Sequence, residues 1–494
     1  MNDDNASTAG TQERICGLPM LAAAEPEVIA REREELAGLK DKGTGTRWRY
    51  YLSKTGPGFL QSAFTLGSGS AVSSLYLGAH YGYSLLWVQP LAMLIGIIML
   101  MAASYITLST CVRPFDAMKL YIHPAAAWLW AVASLVATII WHLPQYALAA
   151  GVTEDMISIA TGWEATGVSR TLLLLAIGVI TLVISTIITW NYSTGRRGII
   201  MYESMLKIFI VIIVLAFAVV VTKSAIEGNI AWGRLFKGML PLSIPTDPAG
   251  VTKIMAAFSA AVGINMTFLF GYTQLARGWG REHRTLARFD LFTGMLLPYT
   301  VITSLVVISA GCTIYGTSFA PSDLSPANAG MLIAATGVGP LAGRIVFGIG
   351  MLGMALSSIT LQMLVAGFAF CELTGIEPGG WKYRLACLIP APAFLGVILW
   401  QSMGTWVALP TSAFCLIMLP IPYLGWFALM NNRRFLGDDM PRGARRFVWN
   451  TAMLFALGVT LTSVVYLVLK QWKPIMRLIG LMSVSYTHLR AHET

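Results

Sequence analysis

The chain has 494 residues, of which 56% are hydrophobic and only 12% are charged, and its net charge at pH 7 is +10. Soluble domains carry about 25% charged residues, so this composition excludes a soluble globular protein. In a soluble protein, a positive net charge would suggest binding to nucleic acid. In a membrane protein, however, Lys and Arg collect in the cytoplasmic loops. We therefore predict an all-α polytopic membrane protein whose partners are the lipid bilayer and a small ion or solute cargo, with no nucleic acid.

The chain begins with a polar stretch, MNDDNASTAGTQER, which lacks the apolar core of a signal peptide. We expect residues 1–50 to form a solvated cytoplasmic tail. Apolar segments follow that are long enough to cross a bilayer, which takes about 20 residues. The eleven predicted spans lie near residues 57–80, 83–109, 124–150, 171–190, 198–222, 251–276, 290–315, 344–372, 383–401, 404–430 and 446–470.

The basic loops predict the orientation of these spans. Arg and Lys residues gather in the loops after the even-numbered spans, on the same side as the N-terminus. They are Arg113, Lys119, Arg196, Arg197, Arg277, Arg281, Arg284, Arg288, Lys382, Arg384, Arg433, Arg434, Arg442, Arg445 and Arg446. By the positive-inside rule this side is cytoplasmic, which places the chain after span eleven outside a plasma or inner membrane.

The last residues, SVSYTHLRAHET, are polar and break the preceding apolar rhythm. We expect the tail at 476–494 to replace the natural end of the chain, and we leave it out of the predicted fold. The rest divides into a first repeat at 51–225, a second repeat at 226–432 and an eleventh span within 433–475.

Two spans contain residues that interrupt a helix. Span one carries Gly-Ser-Gly-Ser at Gly67–Ser70, and Gly lowers helix stability by about 1 kcal/mol relative to Ala. Span six is interrupted at a similar depth by Gly263, Asn265 and Thr267. Unwound backbone is tolerated in a membrane only inside protein or beside a cavity. Breaks at matching positions of two five-helix halves indicate an inverted-repeat transporter with its cargo site between them.

Several segments resemble the Nramp family of divalent-metal transporters. They are GPGFL at 56–60, HYGYSLLWV at 80–88, TGRRGIIMYES at 194–204, GPLAGRIVFGIGMLGMALSSIT at 339–360 and LIMLPIPYLGWFALMNNRRFLG at 416–437. The resemblance covers roughly residues 50 to 470. It implies a LeuT-type fold of five plus five helices in an inverted repeat, with broken helices one and six and one added helix.

The chain departs from this family at the residues that carry its chemistry. Span one has Gly67–Ser70 where the family has Asp-Pro-Gly-Asn, and span six has Asn265–Thr267 where the family has Met-Pro-His. The Asp and Glu of the family's proton route align with His142 and Gln145 in span three, and its metal-side Gln in span ten aligns with Ser412. The resemblance therefore implies a rebuilt site.

The candidate cargo-binding residues are Gly67, Ser68, Gly69, Ser70, Asn265, Met266, Thr267 and Ser412, and the candidate coupling residues are His142 and Gln145. Cation sites for Ca²⁺ and Mg²⁺ normally include carboxylates, and this set has none. We expect a divalent cation that keeps most of its water, Mg²⁺ ahead of Mn²⁺, with weak or absent proton coupling. Ser70, Asn265 and Thr267 are the candidate metal-side residues.

The same turn supports an alternative interpretation of the cargo, because Gly-Ser-Gly also resembles the first span of amino-acid–polyamine–organocation permeases. In that family the turn receives a substrate carboxylate, and helix N-termini attract anions. The alternative cargo is thus a small organic solute such as an amino acid or a carboxylate. A third possibility is a non-transporting sensor that kept the fold.

Enzymatic activity is not expected, and neither is a cofactor. The sequence contains no phosphate-binding GxxxxGK[ST], no HExxH and no nucleophile elbow, which favours secondary transport. Glu203 and Glu372 lie near the ends of spans five and eight, where we predict that they form anchoring or gating salt bridges. The sequence leaves the direction of transport, the coupling ion and the oligomeric state open.

Overall fold

The computed structural model describes residues 18, 26–39, 41–241, 243–245, 248–317, 341–398 and 415–491. The first ten helices are α1 (Pro26–Gly38), α2 (Thr44–Lys54), α3 (Pro57–Thr65), α4 (Ser68–Tyr81), α5 (Val88–Thr110), α6 (Pro114–Tyr121), α7 (Pro124–Thr161), α8 (Gly167–Tyr192), α9 (Arg196–Ile226) and α10 (Trp232–Gly238). The others are α11 (Pro248–Ala261), α12 (Ile264–Ala276), α13 (Arg284–Asp290), α14 (Leu297–Thr313), α15 (Phe347–Thr374), α16 (Gly380–Ala386), α17 (Pro420–Met430), α18 (Arg433–Leu436) and α19 (Gly443–Ala491).

The described residues contain no strand, in agreement with the predicted all-α class. Seven of their helices are long and apolar enough to cross a membrane, or eight if the bent pair Cys415–Met430 and Arg433–Asp439 forms one span. Predicted spans one and six are absent from this count because each is divided into two short helices, α3 with α4 and α11 with α12. The predicted breaks are therefore confirmed, while residues 399–414 of predicted spans nine and ten lie outside the described residues.

The N-terminal region differs from the solvated leader that the sequence suggested, because α1 packs against the bundle. Glu32 is buried, and its carboxylate bonds to Lys54 at 2.9 Å and to Arg196 at 2.6 Å. Burial opposes ionisation of Glu32, but the two cations outweigh it and lower the pKa of the carboxyl. Arg33 also pairs with Glu282 at 3.6 Å, so α1 contacts α2, α9 and the loop before span seven.

The two halves of span one are held by different neighbours. Hydroxyls of Ser73 and Ser74 in α4 each accept a hydrogen bond from Gln89 of α5 at 3.0 Å, and α4 packs closely on α14. The other half, α3, approaches a π-helical segment, Leu291–Leu296, that joins α13 to α14. Asp290 at its start accepts the N–H groups of Gly56 and Gly58 at 3.0 and 2.6 Å. The break in span one thus lies between two anchored helices.

The two carboxylates near span ends form the predicted ion pairs. Glu203 in α9 pairs with Arg277 at 3.2 Å, and Glu372 in α15 pairs with Arg113 at 3.6 Å. At the C-terminus, α19 continues as one helix to Ala491, so the backbone of the polar tail is helical as far as that residue. The proposal that this tail replaces a natural end stays a prediction.

Candidate functional site

The break in span one consists of Leu66 and Gly67, between α3 and α4. An interrupted helix leaves carbonyl groups without partners, and hydroxyl groups satisfy them here. Ser70 donates to the Thr65 carbonyl at 2.6 Å. From α15, Ser357 donates to the Ala63 carbonyl at 2.9 Å and Ser358 to the Phe64 carbonyl at 2.8 Å. The carbonyl oxygens at the end of α3 are thereby engaged within the protein.

The break in span six is Val262 and Gly263, between α11 and α12. The N–H of Gly263 donates to the sulfur of Met266 at 3.4 Å, and the N–H of Met266 donates to Oδ1 of Asn265 at 3.0 Å. A direct bond joins the two broken spans, since Thr65 donates from its hydroxyl to the Ala261 carbonyl at 2.8 Å. The two breaks are therefore neighbours, as the inverted repeat predicted.

A cavity of about 40 Å³ lies between the breaks. A buried water occupies roughly 10–15 Å³ on this measure, so the cavity has room for about three water-sized species. Spans one, three, six and eight all contribute to its wall. The lining residues are Phe64, Thr65, Gly67, Gly69, Ser70, Trp141, Gln145, Gly263, Asn265, Met266, Ser358 and Gln362.

The wall of this cavity carries no formal charge. Its polar groups are amides and hydroxyls, and Met266 adds a thioether. Within the described part of the chain, no group of three His, Cys, Asp or Glu side chains could hold a metal ion. The cavity therefore lacks the anionic ligands with which proteins usually bind divalent cations tightly.

Two amides of the cavity wall have a defined orientation. The N–H of Ser68 donates to Oε1 of Gln145 at 2.8 Å, just as the N–H of Met266 donates to Oδ1 of Asn265. A backbone N–H can only donate, so the atom that faces it in each amide is the oxygen. The NH₂ groups of Gln145 and Asn265 are left for the cavity, which both residues line.

His142 is fully buried and lies beside this cavity rather than in its wall. Its Nδ1 is 2.6 Å from Oε1 of Gln362, which does line the cavity, and its ring packs edge-on against Tyr146. No ion pair to His142 occurs among the described residues. The coupling role suggested by its alignment stays a prediction.

Six of the predicted site residues lie together in the cavity wall: Gly67, Gly69, Ser70, Gln145, Asn265 and Met266. Ser68 contributes its N–H to Gln145, and its buried hydroxyl has no partner among the described residues. Thr267 does not line the cavity, because its hydroxyl donates to the Ile264 carbonyl at 2.5 Å and accepts from Trp130 at 3.2 Å. Ser412 lies outside the described residues.

Sequence reasoning did not identify Trp141, Ser358 and Gln362 as site residues, although all three line the cavity. One signal was available for Ser358, because two consecutive serines interrupt the apolar sequence of span eight. The Gln145 side chain was assigned to a coupling route, but the structure places it in the cavity beside Gly67.

Comparisons with known proteins agree with this architecture. Residues 58–468 match the model of the family described as natural resistance-associated macrophage protein-like, Nramp. A relative from Mycobacterium leprae, the "Divalent metal cation transporter MntH", is 25% identical over 420 residues, which are 81% of this chain and 89% of the relative. A second relative, "Metal transporter Nramp6.2" from Populus trichocarpa, is 33% identical over 99 residues, 20% of this chain and 18% of the relative.

Solved structures show the same fold. The manganese transporter of Eremococcus coleocola superposes with a TM-score of 0.67 at 14% identity, over 86% of this chain and 88% of that one. MhsT in complex with L-phenylalanine superposes with a TM-score of 0.51 at 16% identity, over 80% and 98%. The fold is thus the LeuT type, and the family model covers most of the chain. This chain belongs to the Nramp family.

Proposed function

We propose that this chain is a secondary transporter that moves a divalent metal cation through the cavity between its two broken spans. Family membership supports this cargo, because the Mycobacterium leprae relative is described as a divalent metal cation transporter. The observation that carries the proposal is the cavity itself, in which spans one and six present their breaks to a space the size of a small ion with a few waters.

The neutral wall supports a finer proposal about the form of the cation. Without a carboxylate, a bare divalent ion would lose more hydration energy than amides and hydroxyls return. We propose that the ion keeps part of its water shell, which favours Mg²⁺ over Mn²⁺ because Mg²⁺ dehydrates reluctantly. The thioether of Met266 acts in the opposite direction, since sulfur is a softer ligand that suits transition metals.

We further propose that transport proceeds without a coupled proton. The two positions that align with the family's proton route hold neutral side chains, and both are engaged within the protein. Gln145 cannot titrate, and an imidazolium at His142 would have no carboxylate in contact with it among the described residues. The predicted cytoplasmic location of the N-terminus likewise remains a proposal, supported by the basic loops.

Uptake into proteoliposomes tests the proposal. Purified chain is reconstituted with an internal dye for Mg²⁺ or Mn²⁺ and a second dye for pH. We expect saturable uptake of Mg²⁺ with no internal acidification, loss of uptake in Asn265→Ala, and normal uptake in Thr161→Ala at the exposed end of α7. Absence of uptake of both metals, or Mn²⁺ uptake accompanied by protons, would contradict the proposal.

One observation favours a second candidate, an organic solute with a carboxylate. The amide NH₂ groups at the breaks are hydrogen-bond donors, which suit a carboxylate better than a cation. Radiolabelled glycine and formate in the same vesicles test this candidate. Uptake of either, with none of Mg²⁺ or Mn²⁺, would replace the cation by the solute, and uptake of nothing at all would favour the sensor.

A further inference from the structure

The cavity wall presents hydrogen-bond donors, which a cation site does not require. Gln145 and Asn265 come from different spans, yet each amide oxygen accepts a backbone N–H and each NH₂ group remains for the cavity. Gln145 is 2% exposed and Asn265 is 5% exposed, so water outside the protein does not solvate these groups. Buried donors without an acceptor are costly, which points to a ligand that accepts hydrogen bonds.

The backbone at the break adds further donors. The first N–H groups of a helix have no acceptor within it, and Gly69 in the first turn of α4 lines the cavity. The α4 helix is 14 residues long, so its N-terminus also carries a positive partial charge. The NH₂ nitrogen of Gln145 lies 2.8 Å from the position that a Cβ atom would occupy at residue 67. An amide donor thus stands where the resemblance puts the family's carboxylate.

We propose that the break of span one binds a small anion, a chloride-sized ion or a carboxylate group, on Gln145, Asn265 and the N–H of Gly69. The anion site itself does not depend on the proposed function. Only the cation beside the anion rests on it. The bound anion supplies the negative charge that a fixed carboxylate would otherwise give, so a divalent cation beside it meets a counter-charge. With room for about three water-sized species, the cavity has space for a cation beside a small anion.

Thermal unfolding of the purified full chain tests the anion site without any metal. The baseline buffer contains sodium gluconate, whose anion is too large for a cavity of about 40 Å³, and sodium chloride, sodium formate or glycine is then added. A ligand that binds only the folded state raises the unfolding midpoint with concentration. We expect chloride and formate to raise the midpoint of the wild type to a plateau.

Gln145→Glu is the diagnostic variant, because a carboxylate still accepts the Ser68 N–H but repels an anion. We expect its affinity for chloride to fall at least about tenfold. Asn432→Asp is the control, because it also replaces an amide by a carboxylate but lies at a helix N-cap away from the cavity. The side chain there accepts two backbone N–H groups, and the variant should respond to chloride like wild type.

Each outcome decides the inference. An equal rise for wild type and Gln145→Glu, or no rise for wild type with any of the three ligands, would overturn it. A rise with glycine alone that Gln145→Glu abolishes would support the site and assign it to the carboxylate of a solute. Metal uptake is measured separately, so chloride binding without uptake of Mg²⁺ or Mn²⁺ would contradict the proposed function and leave the anion site standing.

Discussion

Gly67 of span one lies against side chains of spans three and eight. A Cβ atom at this position would be 2.5 Å from the hydroxyl oxygen of Ser358 and 2.8 Å from the amide nitrogen of Gln145. Real Cβ contacts are not this short, so any larger residue must displace both neighbours. Both neighbours are held by hydrogen bonds of 2.8 Å, Ser358 to the Phe64 carbonyl and Gln145 to the Ser68 N–H. The packing of the site therefore requires glycine at position 67.

Gly67→Ala should lower the stability of the protein by about 1–3 kcal/mol, the usual cost of overpacking a buried position. The measurement is denaturant unfolding in detergent. Gly151→Ala in α7 is the matched control, because its added Cβ meets open space, and it should be neutral or stabilising. The double variant Gly67→Ala/Ser358→Ala should recover part of the loss. A wild-type stability for Gly67→Ala would show that the close approach is absent.

The sequence predicted that the family's carboxylate is missing, and it predicted five of the twelve residues in the cavity wall, namely Gly67, Gly69, Ser70, Asn265 and Met266. It did not predict that Gln145 lies in that wall. The contact between Gln145 and Ser68 depends on how α7 is rotated against α4, and residues 77 positions apart carry no local signal of that rotation. The same reason explains why Gln362 was missed.

Charged side chains from three other elements hold the chain where α2 ends and the half-helix α3 begins. Asp290 accepts the N–H groups of Gly56 and Gly58, Lys207 donates to the Thr55 carbonyl, and Arg277 donates to the Lys54 carbonyl. These bonds join the entry to α3 to spans five, six and seven. The other half, α4, is held by Gln89 instead. The two halves of span one are therefore anchored to different neighbours.

Asp290→Asn should loosen α3, because an amide has one acceptor oxygen and cannot hold both N–H groups at 3.0 and 2.6 Å. The loss of one charge-assisted bond is worth about 1.5–3 kcal/mol. A thiol reagent should modify Ser62→Cys in α3 faster in the Asp290→Asn background. Both Ser62 and Ser74 are fully buried, so Ser74→Cys in α4 is the control and should stay slow. Equal acceleration of both would indicate general unfolding.

The two helix breaks were predictable because Gly and Ser clusters have a direct local effect on a helix. The length of α7 was not, since its 38 residues extend eleven positions past the predicted end at 150. That extension is fixed by tertiary ion pairs, Asp155 with Arg344 and Glu154 with Arg170. Such pairs are formed between spans and leave no periodic signal in the sequence.

In the part of the chain that the structure describes, ion pairs lie away from the cavity. Glu372 pairs near the end of α15 and Asp155 in the last turns of α7, whereas the cavity between the breaks is lined by neutral groups. Composition and hydropathy predicted the membrane class, and the resemblance implied the LeuT-type fold that the comparisons show. The cargo was less predictable from the sequence than the fold. It depends on whether the oxygen or the NH₂ nitrogen of each amide faces the cavity of about 40 Å³.

Calorimetric titration of Mg²⁺ and Mn²⁺ into wild type and Asn265→Asp tests most directly whether the cavity binds the cargo. Asn265 lines the cavity, and an aspartate there still accepts the Met266 N–H, so the variant adds one carboxylate without removing the local bond. If the cavity is the cargo site, wild type should bind divalent ions weakly and Asn265→Asp at least about tenfold more tightly, while Asn432→Asp stays at the wild-type value. Identical titrations for wild type and a folded Asn265→Asp would contradict the account and place the metal elsewhere.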